Sequence, residues 1–269
     1  YSVFGGIPYY NRLIDGKKSV RENIIDLIAS PGARLENEVS MYLNSEISKI
    51  TNVNEVFEAL AKGFSRYKDI LDQSHVSSGP ALVDVLDKLI RMDVVDKITP
   101  INDENNRKKS GYFISDNLSL FYYKYIFRNS SRMNIMDSDI FYDRYIAEDF
   151  ETKYVPKVFE DVCRQYLIRR NRKGLMDEIF EKIGKYYYDD PVERKNGEID
   201  IVTLDDKGYI FYEAKFRKEP VTEQMIENEI VQVKQTGLEC YKYGFFSKSG
   251  FACEERENRS LIELKELYR

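Results

Sequence analysis

The chain is poor in the residues on which several common functional sites depend. Its three cysteines, Cys163, Cys240 and Cys253, are odd in number and never stand in C-x-x-C spacing. We therefore expect neither a disulfide framework nor a zinc site, and we predict a cytoplasmic location. His75 is the single histidine, which argues against histidine-based acid–base catalysis.

Long apolar runs and a positive net charge are also missing. No window approaches the roughly 18 apolar residues of a spanning helix, so we expect no membrane contact, and no signal peptide is visible. The net charge of −5 excludes a generally basic coat and confines DNA contacts to local patches. The chain opens at Tyr1 without a methionine, which suggests a processed product or a fragment. The sequence leaves open whether the protein forms a homo-oligomer.

What is present suffices for two packed domains. The chain has 269 residues, of which 42% are hydrophobic and 13% aromatic. We predict an α+β fold in four segments. They are a helical tail of a missing domain over residues 1–35, a winged helix over 36–115, a helical connector over 116–150, and an α/β domain with a mixed sheet over 151–269.

The winged-helix prediction rests on three helical patterns followed by a hairpin with a charged tip. The third helix is predicted to have His75 at its start and Ser77 as its N-cap. The patterns and the two strands lie at residues 53–61, 66–71, 77–89, 94–99 and 111–114.

The surface of this segment leaves two uses open. Arg107, Lys108 and Lys109 at the wing would contact DNA phosphates. The third helix instead carries Asp84 and Asp87, where a DNA-reading helix favours arginine, lysine, asparagine or glutamine. Packing or protein contact is therefore the alternative to DNA binding.

Residues 197–216 read as two strands joined by a tight turn at residues 205–208. Glu213 and Lys215 lie two apart on the second strand and share a face, and antiparallel pairing can bring Asp200 onto it. Two carboxylates and a lysine on one side of an apolar hairpin are costly to bury without a function. The pattern is typical of a metal-dependent phosphodiester-cleaving site.

A helix ahead of this hairpin adds Glu160 as a further carboxylate. Mg²⁺ or Mn²⁺ prefers such oxygens, so Glu160, Asp200 and Glu213 would bind a metal that activates water. Lys215 would orient that water or stabilise charge in the transition state. Each residue taken singly could instead be part of an ordinary ion pair, as Glu160 would be with Arg164.

Basic residues cluster late in the same helix and just beyond it. Arg169 and Arg170 are the candidates for contact with a phosphate backbone. A solvated basic face is the alternative. The whole cluster comprises Arg164, Arg169, Arg170, Arg172 and Lys173.

Residues 151–269 resemble a PD-(D/E)XK nuclease domain. Glu160 matches its helix glutamate, Asp200 its central aspartate, and Glu213 and Lys215 its final pair. The resemblance implies a catalytic role for all four, with Mg²⁺ or Mn²⁺ as cofactor and DNA as substrate. It also implies that Gln232 or Lys234, on the following helix, approaches the site.

Nearly the whole chain resembles the C-terminal two-thirds of a family of archaeal and bacterial AAA-type ATPases. The resemblance rests on residues 5–9 (GGIPY), the predicted winged helix and residues 245–251 (FFSKSGF). That family joins a P-loop domain to a winged helix and a nuclease-like domain. No G-x-x-x-x-G-K-[ST] motif occurs here, so the resemblance implies an ATPase domain elsewhere in the same polypeptide.

These features together predict a DNA-binding, divalent-metal-dependent deoxyribonuclease module. A catalytically inactive region of the ATPase that binds DNA or protein is the alternative. Pure protein–protein assembly is a third interpretation, favoured by the acidic third helix.

Overall fold

The computed structural model describes residues 1–41, 52–104, 106–190 and 195–268. It shows a mixed α+β chain with a mixed five-stranded sheet, as predicted. None of the helices within these ranges has the length and apolar character needed to cross a bilayer. The chain divides into two compact units, which are Tyr1–Ile98 with Ser110–Thr152, and Thr99–Lys109 with Lys153–Arg269.

The first unit is mainly helical. Its helices ahead of the first strand are α1 (Pro8–Leu13), α2 (Val20–Leu27), α3 (Val53–Ala61), α4 (Tyr67–Ser74) and α5 (Gly79–Arg91). Two antiparallel strands follow, β1 (Val95–Ile98) and β2 (Gly111–Ile114). Short helices complete the unit: α6 (Asn117–Phe121), α7 (Ser130–Met133), α8 (Ser138–Tyr145) and α9 (Ala147–Asp149).

Three helices and a hairpin thus occur in the predicted order, with two local corrections. Ser78, not Ser77, caps α5, because its hydroxyl accepts a hydrogen bond from the amide of Ala81 at 3.4 Å. His75 is not at the start of α5. It ends α4 in the left-handed conformation, with φ of 53°. The predicted apolar face of α5 is buried, formed by Leu82, Val85, Leu86 and Leu89.

The second unit is built on a mixed sheet. Its elements are α10 (Val155–Arg172), β3 (Lys182–Asp190), β4 (Lys195–Asp205), β5 (Gly208–Lys215), β6 (Val221–Thr222), α11 (Glu223–Gln235), β7 (Cys240–Ser247), β8 (Phe251–Ala252) and β9 (Arg259–Glu263). The strand order of the sheet is β3-β4-β5-β7-β9. Strands β3, β4 and β5 are antiparallel, whereas β5, β7 and β9 are parallel.

The two helices cover opposite faces of this sheet. Successive residues of a strand point to opposite faces, so Phe246 of β7 packs with the cluster beneath α10, and Phe245 packs with the cluster beneath α11. Both side chains are fully buried. From α10 the core takes Phe159, Cys163, Tyr166 and Leu167, and from α11 it takes Ile226 and Val233.

The predicted hairpin is present as β4 and β5. Asp205 pairs with Gly208 across the turn, and the Asp205 carboxylate accepts the amide of Lys207 at 2.8 Å. Gly208 has φ of 129°, a conformation that a residue with a Cβ rarely adopts. The turn chemistry therefore fixes the register of the strands that carry Asp200 and Glu213.

Residues 101 and 102 lie along β3 and belong to the second unit. The amide of Ile101 donates to the carbonyl of Lys185 at 2.8 Å. The Asn102 side chain bonds both backbone groups of Tyr187, accepting its amide at 3.1 Å and donating to its carbonyl at 2.7 Å. These contacts satisfy backbone groups that the edge of a sheet would otherwise expose.

Candidate active site

The candidate residues occupy three elements of the second unit. Glu160 lies in the first half of α10, Asp200 lies on β4, and Glu213 and Lys215 lie at the end of β5. Lys157 joins the first two elements: its Nζ lies 2.5 Å from Glu160 Oε2 and 3.1 Å from Asp200 Oδ1. The helix glutamate and the strand aspartate are therefore neighbours.

Glu213 and Lys215 share a face, as the spacing predicts. Lys215 Nζ lies 2.8 Å from Glu213 Oε1 and 2.5 Å from Glu229 Oε1. Ala214 and Phe216 pack in the cluster beneath α10. The lysine is therefore held between its own strand and α11, with a side chain that is 22% exposed.

A β-bulge sets the position of Asp200. Gly184 pairs with Val202 and Tyr186 pairs with Ile199, so Asp200 and Ile201 lie opposite Lys185 alone. Such bulges bend a strand and redirect a side chain, and they are frequent beside active sites.

The bulge brings a second lysine to the aspartate. Lys185 Nζ lies 3.0 Å from Asp200 Oδ1 and 3.2 Å from Glu198 Oε2. Asp200 Oδ1 therefore receives two lysines, Lys157 and Lys185.

Burial and mutual repulsion perturb the carboxyl groups. Burial raises the pKa of Glu160 and of Glu213, and Asp200 raises both further, although Lys157 and Lys215 act in the opposite direction. Burial would also raise the pKa of Asp200, but its two lysines outweigh it and hold that pKa below its ordinary value. Carboxyl groups with pKa values moved in opposite directions are typical of functional sites.

Four charged residues at this site were not predicted from the sequence: Lys157, Lys185, Glu198 and Glu229. Lys157 precedes Glu160 by three residues, a spacing at which helical side chains meet, so the sequence could have predicted this contact. The other three depend on strand pairing and on the docking of α11. The helix residue that reaches Lys215 is Glu229, while Gln232 and Lys234 are exposed.

One local alternative proved wrong. Arg164 does not pair with Glu160. Its guanidinium donates to Asp161 at 2.6 Å, because a side chain three residues away lies within its reach on the same side of the helix. Glu160 remains directed at Lys157.

Arg169 and Arg170, the predicted phosphate contacts on α10, lie away from Glu160 and donate hydrogen bonds to backbone carbonyls. Arg169 and Arg170 lie nine and ten residues beyond Glu160, roughly 14 Å along α10. Arg169 donates to the carbonyl of Leu267 at 2.7 Å, and Arg170 donates to that of Leu175. Both therefore tie down neighbouring chain at the far end of the helix.

The basic triplet before β2 forms a short 3₁₀ turn, Arg107–Lys109. Lys109 Nζ lies 2.9 Å from Asp103 and 4.0 Å from the centre of the Tyr187 ring. Lys108 is exposed, and the side chain of Arg107 lies outside the described residues. Lys108 is the member that the structure presents to solvent.

The chemistry of the donor set fits a hard cation. The site offers carboxylate oxygens from Glu160, Asp200 and Glu213, as Mg²⁺ and Mn²⁺ prefer. Within the described part of the chain, no three acidic, histidine or cysteine side chains converge closely enough to hold a metal together. Mg²⁺ commonly binds through one or two carboxylates, waters and substrate phosphate, so the convergence of three protein carboxylates is not required.

The paired lysines make the contribution of Asp200 to stability dependent on pH. Asp200→Asn should lower the free energy of unfolding near neutral pH by about 1 kcal/mol at most, because the side chain is 39% exposed and solvent screens the pair. A lowered carboxyl pKa stabilises above about pH 4, and this contribution is lost as the pH falls through the folded-state pKa. Urea unfolding at several pH values should show the difference shrinking in acid. A constant difference contradicts this assignment.

Comparison with known proteins places this site inside a stretch shared with other chains. Residues 122–230 match the model of DUF234, described as archaea bacterial proteins of unknown function. The matched stretch contains Glu160, Asp200, Glu213 and Lys215.

Two proteins resemble the chain over most of its length. An uncharacterized protein of Methanocaldococcus jannaschii is 28% identical over 265 residues, which cover 96% of this chain and 56% of that protein. The crystal structure of protein VC1899 from Vibrio cholerae aligns with 93% of this chain and 54% of that chain, at 11% identity and a TM-score of 0.26. The chain spans little more than half the length of its archaeal relative.

Proposed function

We propose that the second unit is a divalent-metal-dependent deoxyribonuclease of the PD-(D/E)XK type. The observation that carries the proposal is that Glu160, Asp200 and Glu213, from three separate elements, lie near enough for Asp200 to raise the pKa of both glutamates, while Lys215 pairs with Glu213. Lys157 contacts both Glu160 and Asp200, and Asp200 lies at a bulge in its strand. A surface with no function has little reason to concentrate five carboxylates and three lysines at one place.

Each residue has a role that its contacts support. Two of the three carboxylates Glu160, Asp200 and Glu213 would hold Mg²⁺ or Mn²⁺ together with waters and the substrate phosphate, and the ion when bound polarises the phosphate and lowers the pKa of a water. Lys215 would place its ammonium beside the reacting phosphate and stabilise negative charge there. Glu229 accepts a hydrogen bond from Lys215 and would keep that ammonium in position.

The wider proposal joins this unit to an ATPase. The three helices and the two paired strands of the first unit support a winged helix. Lys108, which belongs to the second unit, would be an exposed DNA contact. The archaeal relative extends well beyond the matched region, since the chain covers 56% of it. We propose that a P-loop ATPase domain belongs to the same polypeptide as this region.

Cleavage assays with a matched control test the nuclease proposal. Labelled single-stranded, duplex and branched DNA should be cut only with Mg²⁺ or Mn²⁺, and Asp200→Ala should lower the rate by more than about 100-fold, because it removes a metal ligand. Asp161→Asn is the control, because Asp161 neighbours Glu160 but bonds Arg164 and Gln165.

Calorimetric titration with Mn²⁺ gives an independent readout. Wild-type protein should bind the ion and Asp200→Ala should bind it more weakly. Cleavage that survives Asp200→Ala refutes the proposal. So does wild-type protein that neither cuts DNA nor binds Mn²⁺.

A second candidate function also has an observation in its favour. Lys157, Lys185 and Lys215 contact all four of Glu160, Glu198, Asp200 and Glu213, which is how an inactive site would be neutralised. The region would then be a DNA- or protein-binding regulatory part of the ATPase. Absence of Mn²⁺ binding together with retained DNA binding favours this alternative.

A further inference from the structure

We infer that the exposed lysines Lys218 and Lys248, at the carboxyl ends of β5 and β7, bind the phosphate backbone of the nucleic acid that the site cleaves. We call these two residues the basic rim. The inference rests on the proposed function and assigns the strand-binding surface to residues other than Arg169 and Arg170. Ligands of open sheets with parallel strands commonly bind beyond the carboxyl ends of those strands.

The charge of the metal-free site favours such a surface. Five carboxylates, Glu160, Glu198, Asp200, Glu213 and Glu229, face three lysines, Lys157, Lys185 and Lys215, which leaves two net negative charges. Without a bound metal ion this charge repels an approaching polyanion, and nearby cations offset the repulsion. The rim places two lysines in the loops that follow β5 and β7.

Lys248 is fixed next to the site by its backbone and by its side chain. Its amide donates to the carbonyl of Lys215 at 3.1 Å, so the two lysines are neighbours across the ends of β5 and β7. Its Nζ lies 4.4 Å from the centre of the Phe216 ring, and that ring lies 5.2 Å from the ring of Phe159, the residue before Glu160. The contact with Phe216 thus holds an exposed ammonium near the helix that carries Glu160.

The loops that carry the rim are tied together. Ser249 Oγ donates to the carbonyl of Arg217 at 2.6 Å, and the amide of Val221 donates to the carbonyl of Gly250 at 3.0 Å. Arg217 pairs with Glu219 at 3.1 Å, so these two charges offset each other. Lys218 and Lys248 are left as the net positive charge of these two loops.

The chain contains a matched control lysine. Lys207 is also exposed and also lies over an aromatic ring, with its Nζ 5.9 Å from the centre of Tyr241. It lies in the turn at the opposite end of β5, about 25 Å from Lys215 at 3.3 Å per residue. It matches Lys248 in chemistry and differs from it in position.

The test is the salt dependence of DNA binding, measured by fluorescence anisotropy of labelled single-stranded and duplex DNA in EDTA. Affinity falls as the salt concentration rises. Loss of one phosphate contact makes the slope of log affinity against log salt concentration less steep, by about 0.7 for single-stranded DNA and about 0.9 for duplex DNA. We expect this change for Lys248→Gln and for Lys218→Gln, and about twice this change for the double variant. Lys248→Arg should restore the slope, and Lys207→Gln should leave it unchanged.

The outcomes separate this inference from the nuclease proposal. The assignment of the basic rim is wrong if the double variant keeps the wild-type slope, or if Lys207→Gln changes the slope as much as the rim variants do. It is also wrong if the wild-type chain binds neither single-stranded nor duplex DNA. If the wild-type chain cleaves DNA with metal but the rim variants keep the wild-type slope, the rim assignment is wrong and the nuclease proposal stands. A reduced slope in a chain that never cleaves supports the rim and refutes the nuclease. Unchanged thermal unfolding of the variants excludes misfolding as the cause.

Discussion

Replacing Lys215 with glutamine is expected to lower the rate of metal-dependent cleavage by about 10²- to 10³-fold, the usual cost of removing a preorganised group that stabilises transition-state charge. Its ammonium is held between Glu213 and Glu229 at 2.8 and 2.5 Å, so it is oriented before substrate arrives. Because Lys215 is not a metal ligand in this proposal, the loss should fall on kcat. Mn²⁺ affinity should stay within several-fold of wild type.

A variant of a second partly buried lysine distinguishes loss of catalysis from loss of stability. Lys242 lies on the adjacent strand β7 and pairs with Glu178 at 2.8 Å, with 18% of its side chain exposed. Lys242→Gln removes a similar ion pair from the same sheet and should leave kcat near the wild-type value. A Lys215→Gln rate within tenfold of wild type refutes the catalytic assignment. Complete loss of Mn²⁺ binding assigns Lys215 a structural role instead.

Replacing Phe246 with alanine is expected to lower the free energy of unfolding of the second unit by about 3–5 kcal/mol, through lost burial and the cavity left behind. Its side chain is 0% exposed. Its ring contacts those of Tyr166 on α10 and Tyr212 on β5, with centroids 5.9 and 6.1 Å away. Phe246 therefore joins the helix that carries Glu160 to the strand that carries Glu213.

Chemical denaturation followed by circular dichroism measures this loss, and hydrogen exchange at β7 assigns it to the second unit. Phe251→Ala is the control, because Phe251 is only partly buried beside its cluster. It should cost less than half as much. A loss below about 1 kcal/mol for Phe246→Ala contradicts the packing described for the central strand.

Local chemistry made much of the fold predictable. The helix α3 begins and ends where its apolar spacing indicated, and the β4–β5 hairpin turns at the predicted residues 205–208. Both depend on interactions within a few residues of each other. The N-cap of α5 was misplaced by one residue because Ser77 and Ser78 carry the same hydroxyl group, and backbone geometry decides which one caps.

The site was predictable in part for the same reason. Glu213 and Lys215 meet because strand periodicity places every second residue on one face. The partners of Asp200 obey no such rule. Lys157 is 43 residues away in sequence, and Lys185 reaches the aspartate only through the bulge in β4. The approach of Glu229 depends on how α11 packs against the sheet.

By itself the sequence determined the α+β class, the hairpin, and the shared face of Glu213 and Lys215, because turn chemistry and residue periodicity act over short distances. Only the tertiary structure decided that lysines neutralise Asp200, that Glu229 reaches Lys215, and that Arg169 bonds the carbonyl of Leu267. Those outcomes depend on strand register and helix docking. The energies that set them are sums over many buried contacts between distant parts of the chain, and no local pattern encodes them.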